Sequence, residues 1–129
     1  MIIDDPVVKG EAEAAFAAYE RALTTNDVDA LDGFFHDSSA SIRFGATENL
    51  YGFAAIQAFR AARSPAGLAR RLERTQITTY GRDLAVASTL FRRESAIGKI
   101  GRQMQTWVRF PWGWRIVAAH VSIIDDPKT

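Results

Sequence analysis

The second half of this chain limits its fold more than any other feature. From residue 69 onward, four segments at about 69 to 81, 83 to 94, 101 to 110 and 114 to 124 carry the composition and alternation of strands. They are separated by Gly81-Arg82-Asp83, by Ala96-Ile97-Gly98-Lys99 and by Pro111-Trp112-Gly113, each of hairpin length. Long strands joined this tightly pair antiparallel, because a parallel pair needs a crossover of about a dozen residues or more. Ahead of this meander the periodicity is helical. Asp4, Asp5 and Pro6 read as a helix start, after which Val8, Ala12, Ala15, Phe16, Tyr19 and Leu23 recur at steps of three and four. Asn26 and Asp27 end that helix and cap a shorter one that buries Val28, Leu31, Phe34 and Phe35. Residues 39 to 44 alternate and stop at Gly45, a short strand. Gly52 opens a third helix through Phe53, Ile56, Phe59 and Arg60, which ends near Ser64-Pro65. Three helices followed by a meander, without βαβ alternation, predict an α+β domain. Its helices lie on one face of a strongly curved, mainly antiparallel sheet.

A chain of 129 residues is one ordinary domain, so residues 1 to 129 are read as a single unit. The net charge of +1 gives no reason to expect nucleic acid or an anionic membrane as a partner. With no cysteine, disulfides, thiolate nucleophiles and Cys-ligated metals are outside the inventory, and two histidines, His36 and His120, are too few for a His-rich metal site. No metal or cofactor is expected. The start Met-Ile-Ile-Asp-Asp-Pro is not a signal peptide, and no stretch reaches the roughly 20 apolar residues of a membrane span. A cytoplasmic, bacterial-type protein is expected.

A helix lying across the concave side of a bent sheet leaves part of the space unfilled, and a pocket results. Strict alternation along the last strand puts Trp114, Ile116, Ala118, His120, Ser122 and Ile124 on one face and Arg115, Val117, Ala119, Val121 and Ile123 on the other. Neither face is polar throughout, so the convex side is expected to be covered by a second copy, giving a homodimer. In the preceding strand Gln103, Gln105, Trp107 and Arg109 share a face. Unsatisfied buried polar groups cost about 1–3 kcal/mol each, so Gln105, His120 and Ser122 either close a network or point into the pocket. Arg43, between Ile42 and Phe44, needs an anion or several acceptors. Each residue also has a plain structural role open to it: Tyr19 as a core tyrosine, His120 as a structural hydrogen-bonder, and Arg70, Arg71 and Arg74 as a solvated strand face.

The stretch Arg43-Phe44-Gly45 with Glu48 and Tyr51-Gly52, then Ile56, Phe59-Arg60 and Arg63, is followed by Thr78-Thr79-Tyr80-Gly81 and Asp83-Leu84-Ala85. With Gly101-Arg102-Gln103-Met104-Gln105-Thr106-Trp107 and Gly113 through Ser122, this resembles the AtzH-like branch of the SnoaL-like, NTF2-like superfamily over nearly the whole chain. The resemblance implies an NTF2-like cone. It also implies an amidohydrolase of the cyanuric acid and s-triazine degradation route that acts on 1,3-dicarboxyurea and releases ammonia. A tyrosine of the first helix and an arginine of the first strand are the active-site pair it implies, matching Tyr19 and Arg43. Met104 stands where a small polar residue is expected; facing outward it touches the dimer face, facing inward it alters the substrate.

A dicarboxylated urea carries two negative charges, so its site needs a bidentate cation and neutral donors. Arg43 is the expected clamp, with Arg71, Gln105, His120 and Ser122 as further substrate-binding candidates and Tyr19 handling the proton. No Gly-x-Ser-x-Gly elbow is present to activate a serine. A substrate that brings its own carboxylates can supply the base, leaving the protein to act by positioning. Two other readings share the fold. One is an isomerase or cyclase, with Glu94, Glu73 or Glu48 as acid–base residue. The other is a non-catalytic carboxylate-binding or dimerisation module.

Overall fold

In the computed structural model, residues 1–127 are described. Helix α1 spans Pro6–Thr24 and α2 Val28–Phe34; strands β1 and β2 span Ile42–Phe44 and Asn49–Tyr51, and α3 spans Phe53–Ala62. The meander follows as β3 Arg71–Tyr80, β4 Leu84–Arg92, β5 Lys99–Phe110 and β6 Gly113–Asp125. Together they form a six-stranded sheet in the order β2-β1-β6-β5-β4-β3. All pairings are antiparallel except β1 with β6, which the helical N-terminal half brings together in parallel.

The helix starts follow their caps. Asp5 Oδ1 accepts from the Val7 and Val8 amides at 3.0 and 3.3 Å, and Pro6 occupies the first helical position, where no N–H is needed. Asp27 caps α2 through the Ala30 amide at 3.2 Å, and each such cap contributes about 1 kcal/mol. The buried face of α1 is Val8, Ala12, Phe16, Tyr19, Ala22 and Leu23. It packs with Leu31 and Phe35 against Ala85, Ala87, Trp107 and Ile116 of the sheet. Among the described residues no helix is long and apolar enough to cross a membrane.

Two details differ from the sequence expectation. The strand predicted over 39 to 44 is shorter, because Ser38 Oγ accepts the Ala40 amide at 3.0 Å and Ser41 Oγ donates to the His36 carbonyl at 2.6 Å, holding 38 to 41 as a turn. Strand β2, three residues long, was not anticipated; it pairs Leu50 with Arg43 in a hairpin too short to show alternation.

The larger correction concerns β6. Thr106 pairs with Ala118 but Trp107 pairs with Ile116, so Val117 is an extra residue that shifts the register. Below this bulge Trp114 and Ile116 face the helices, and above it Ala119, Val121 and Ile123 do. His120 and Ser122, opposite Met104 and Arg102, therefore lie on the convex side.

Candidate functional site: an arginine-lined cavity under the helices

The concave face is filled with side chains over part of its length. There the Tyr19 ring meets Phe34, Phe35 and Trp107 edge to face, with centroids 6.1, 6.5 and 6.2 Å away. Gln105 lies in this packed region, fully buried, and its Oε1 accepts from Trp107 Nε1 at 3.0 Å. Beyond it the filling stops. A cavity of about 290 Å³ opens, bounded by Tyr19 and Leu23 of α1, Arg43 of β1, Glu48, Phe59 of α3, Arg63, Arg70, Phe91 of β4, Arg93, and Gln103 of β5 with Val121 and Ile123 of β6. That is just below the volume range of about 300–1,000 Å³ usual for small-molecule sites.

Two glycines make room for the polar walls. A Cβ on Gly45 would sit 1.7 Å from Glu48 Oε1, so the glycine lets the Glu48 carboxylate fold back under β1 and accept from Arg43 Nη1 at 2.8 Å. The Arg43 guanidinium carbon also lies 5.7 Å from the Phe59 ring centre. Burial pushes the Glu48 carboxyl up, but hydrogen bonds from Thr47 and Arg43 and the Arg43 charge outweigh it and hold the group below its ordinary value. At Gly101 a Cβ would fall 2.1 Å from Phe91 Cζ, so the Phe91 ring lies directly on the β5 backbone. Arg70 and Arg93 both stack on that ring, with guanidinium carbons 4.6 and 4.8 Å from its centre.

Arg70 is held further by both carboxylate oxygens of Glu20, at 2.8 and 2.6 Å, and by Gln103 Oε1 at 3.2 Å. Arg63 and Arg93 make no ion pair with any described residue. Nε and Nη2 of Arg63, Nε of Arg93 and Nε2 of Gln103 are buried without a protein acceptor. Both guanidinium groups titrate below their ordinary value. For Arg63 the main cause is burial, followed by the charges of Arg60 and Arg43; for Arg93 it is burial, followed by Arg70 and Arg63.

Of the residues singled out from the sequence, Tyr19 and Arg43 meet at this cavity. Four others do not. Gln105 is spent on Trp107. His120 and Ser122 are turned away by the Val117 bulge; His120 lies edge to face with Phe44, and Ser122 Oγ accepts from Arg102 Nε at 3.0 Å. Arg71 points outward with its side chain 73% exposed and bonds Glu73, while its neighbour Arg70, expected on a solvated face, is the one turned inward. Met104 is on the convex face and half exposed, away from the cavity. Glu73 and Glu94 are likewise outside it, leaving Glu48 as its lining carboxylate.

Sequence reasoning passed over Arg63, Arg93 and the free donor of Gln103. A signal for Arg93 exists: Ala85, Ala87, Thr89 and Phe91 are the buried parity of β4, and position 93 continues it. Among the described residues no cluster of three His, Cys, Asp or Glu side chains is arranged to hold a metal ion.

Solved structures place this architecture among known relatives. A protein of unknown function from Pectobacterium atrosepticum is 56% identical and superimposes with a TM-score of 0.93 over 95% of both chains. A cystatin-like fold protein from Burkholderia xenovorans is 43% identical, with a TM-score of 0.94 over 98% of this chain and 99% of that one. An NTF2-like protein of unknown function from Pseudomonas putida shares the fold at 18% identity, with a TM-score of 0.76 over 90% and 86% of the two chains. A comparison with curated proteins finds no match. The AtzH-like family profile spans residues 1–127, and with it the glycine-backed Arg43–Glu48 pair and the Tyr19 wall; the chain belongs to the AtzH-like family.

Proposed function

We propose that this protein is a small-molecule amidohydrolase that deaminates a carboxylated urea such as 1,3-dicarboxyurea, in the breakdown of cyanuric acid and related s-triazines. One observation carries the reading: Tyr19 and Arg43, the pair implied by the family resemblance, line a single small cavity whose arginines outnumber its carboxylates. A dianionic, planar urea matches that excess of positive charge.

In this mechanism the urea carbonyl carbon is attacked by water, with the substrate's own carboxylate taking the water proton. The new C–O bond forms as one C–N bond breaks. The departing nitrogen receives a proton by way of the Tyr19 hydroxyl and leaves as carbamate, which falls apart to ammonia and carbon dioxide. Arg43 serves the carbonyl oxygen as negative charge develops there. Arg43 is expected from sequence to clamp a substrate carboxylate, but Glu48 already balances its charge. The protein acts as a homodimer through the convex sheet face, where Leu84, Met104 and Ile124 are exposed, and its mass in solution should be twice the 14.3 kDa of the chain.

The test is ammonia release from carboxylated ureas. Tyr19→Phe and Arg43→Ala should each lower turnover by about 10²–10⁴-fold while the protein still melts cooperatively. Turnover that survives both changes removes the two residues from the mechanism. A non-catalytic carboxylate-binding module rests on the same excess of cations, and is favoured if small dicarboxylates raise the melting temperature while no carboxylated urea is consumed.

A further inference from the structure

Charge accounting inside the cavity leads beyond the pair Tyr19 and Arg43. Four guanidinium groups line it. Arg43 is neutralised by Glu48 and Arg70 by Glu20, the latter through two hydrogen bonds to one carboxylate. The charges of Arg63 and Arg93 are left over, and three of their N–H-bearing nitrogens are buried without an acceptor. Folds rarely hold unneutralised cations in one hollow for stability, since each pays desolvation without a return and each repels the other. Arg63 is indeed among the charges that act unfavourably on Arg93. Both remain cationic at any ordinary pH, so the deficit persists until a ligand brings about two negative charges.

Local contacts anchor the backbone of Arg63 and the guanidinium of Arg93. Arg63 is the C-cap of α3, its amide bonded to the Arg60 carbonyl at 3.2 Å, and Arg93 follows β4 with its guanidinium stacked on the Phe91 ring that Gly101 admits. Tyr19 lines the same cavity as both. Gln103 adds a neutral donor, Nε2, while its oxygen is committed to Arg70.

We propose that Arg63 and Arg93 are the two carboxylate seats of this site, one for each end of a small dicarboxylate, with Gln103 Nε2 as a neutral donor to the same ligand. The proposal rests on the cavity assigned above and deepens it: it makes selection for dianions a property of two residues, neither of them Arg43. A monocarboxylate fills one seat and leaves the other guanidinium uncompensated, so it binds more weakly.

Calorimetric titration with malonate and with acetate tests this without any turnover. Wild-type protein should bind malonate at least about 10-fold tighter than acetate. Arg63→Met and Arg93→Met should each weaken malonate binding by about 10- to 100-fold, the level of a charge-assisted hydrogen-bonded contact, and bring its affinity close to that of acetate. Arg63→Lys and Arg93→Lys, which keep the charge but lose the fork, should fall between. Each methionine variant should also melt at a higher temperature than wild type when no anion is present, which checks folding and reports the relieved repulsion. Malonate affinity unchanged in both methionine variants, or no malonate binding by wild type, overturns the assignment. The outcome for hydrolysis is separate. Seats that behave as described in a protein that releases no ammonia sink the amidohydrolase and leave the seats; ammonia release with malonate affinity indifferent to both arginines does the reverse.

Discussion

The concave face of this sheet has a packed region and a hollow one, and both bury polar and charged side chains. In the packed region every buried charged or amide side chain is matched, and a single hydroxyl, Thr79 Oγ1, is not. Gln105 accepts from Trp107, and Arg60, although only 4% exposed, bonds Asp32 and lies over Phe35 with its guanidinium carbon 4.9 Å from the ring centre. A few residues away, the hollow region holds Arg63 and Arg93 with donors that meet no acceptor. Burial of polarity is therefore a poor marker of a site in this protein, because Arg60 and Gln105 are more deeply buried than Arg63 and Arg93. Unbalanced burial is the marker, since only it leaves free energy for a ligand to recover.

Arg60 and Arg63, one turn apart on the same helix end, give the sharpest way to break that contrast. Arg60→Met strands the Asp32 carboxylate, 14% exposed, and should cost about 3–5 kcal/mol in denaturant unfolding. Arg63→Met strands nothing and should stabilise the unliganded protein by about 1 kcal/mol. Two variants shifting in the same direction would mean that Arg63 has a structural partner after all, and the distinction between the two regions would fall.

The same contrast explains what could be read without coordinates. Helix starts at Asp5 and Asp27, the inward parity of Gln103, Gln105 and Trp107, and the need of Arg43 for an anion all follow from local rules, and the structure agrees with each. His120 and Ser122 were misplaced because alternation was carried through Val117, and a single inserted residue reverses the face of everything beyond it. Arg70 and Arg71 are adjacent and chemically identical; the partners Glu20, Gln103 and Phe91, all distant in sequence, hold Arg70 inward, while Arg71 bonds Glu73 outside. Arg63 escaped because a guanidinium just past a helix end usually reaches solvent, and no pattern in one sequence says that it lines the same cavity as Tyr19, Arg70 and Arg93. Local periodicity thus gives the elements and their faces, whereas the balance of buried charge depends on contacts between residues as distant as 20 and 70.

Gly101 ties the hollow region to the sheet beneath it. Phe91 rests where a side chain on residue 101 would be, and an added methyl 2.1 Å from the ring must push it into the cavity or the strands apart. Gly101→Ala should therefore destabilise the protein by about 1–3 kcal/mol in denaturant unfolding, the usual cost of overpacking. Because Arg70 and Arg93 both stack on that ring, the same variant should weaken malonate binding in calorimetry. In the packed region a change as small as Ala87→Gly should lower stability without altering affinity. Equal losses of affinity in both variants would show that the ring does not hold the arginines in place.

The smallest effect expected is a dependence on pH, and it separates the balanced arginine of the cavity from the unbalanced ones. Glu48 titrates below its ordinary value of 4.5 in the folded protein, because the donors from Thr47 and Arg43 outweigh its burial. A carboxylate depressed by folding contributes stability that is fully present above its unfolded value and is lost as pH falls through its folded value. The difference in unfolding free energy between wild type and Glu48→Gln should thus be constant from neutral pH down to about 4.5, then shrink toward zero at lower pH. Its plateau should be about 1 kcal/mol, as befits one partly exposed ion pair. Arg63 and Arg93 cannot contribute to this window, since a guanidinium stays cationic throughout it. As Glu48 gains its proton, however, Arg43 loses its counter-charge and joins them, raising the uncompensated charge from two guanidinium groups to three. The apparent affinity for chloride, followed by melting temperature against chloride concentration, should rise over the same interval in wild type and stay level in Glu48→Gln. A chloride response with no step there would mean that the charge of Arg43 is balanced by something other than Glu48.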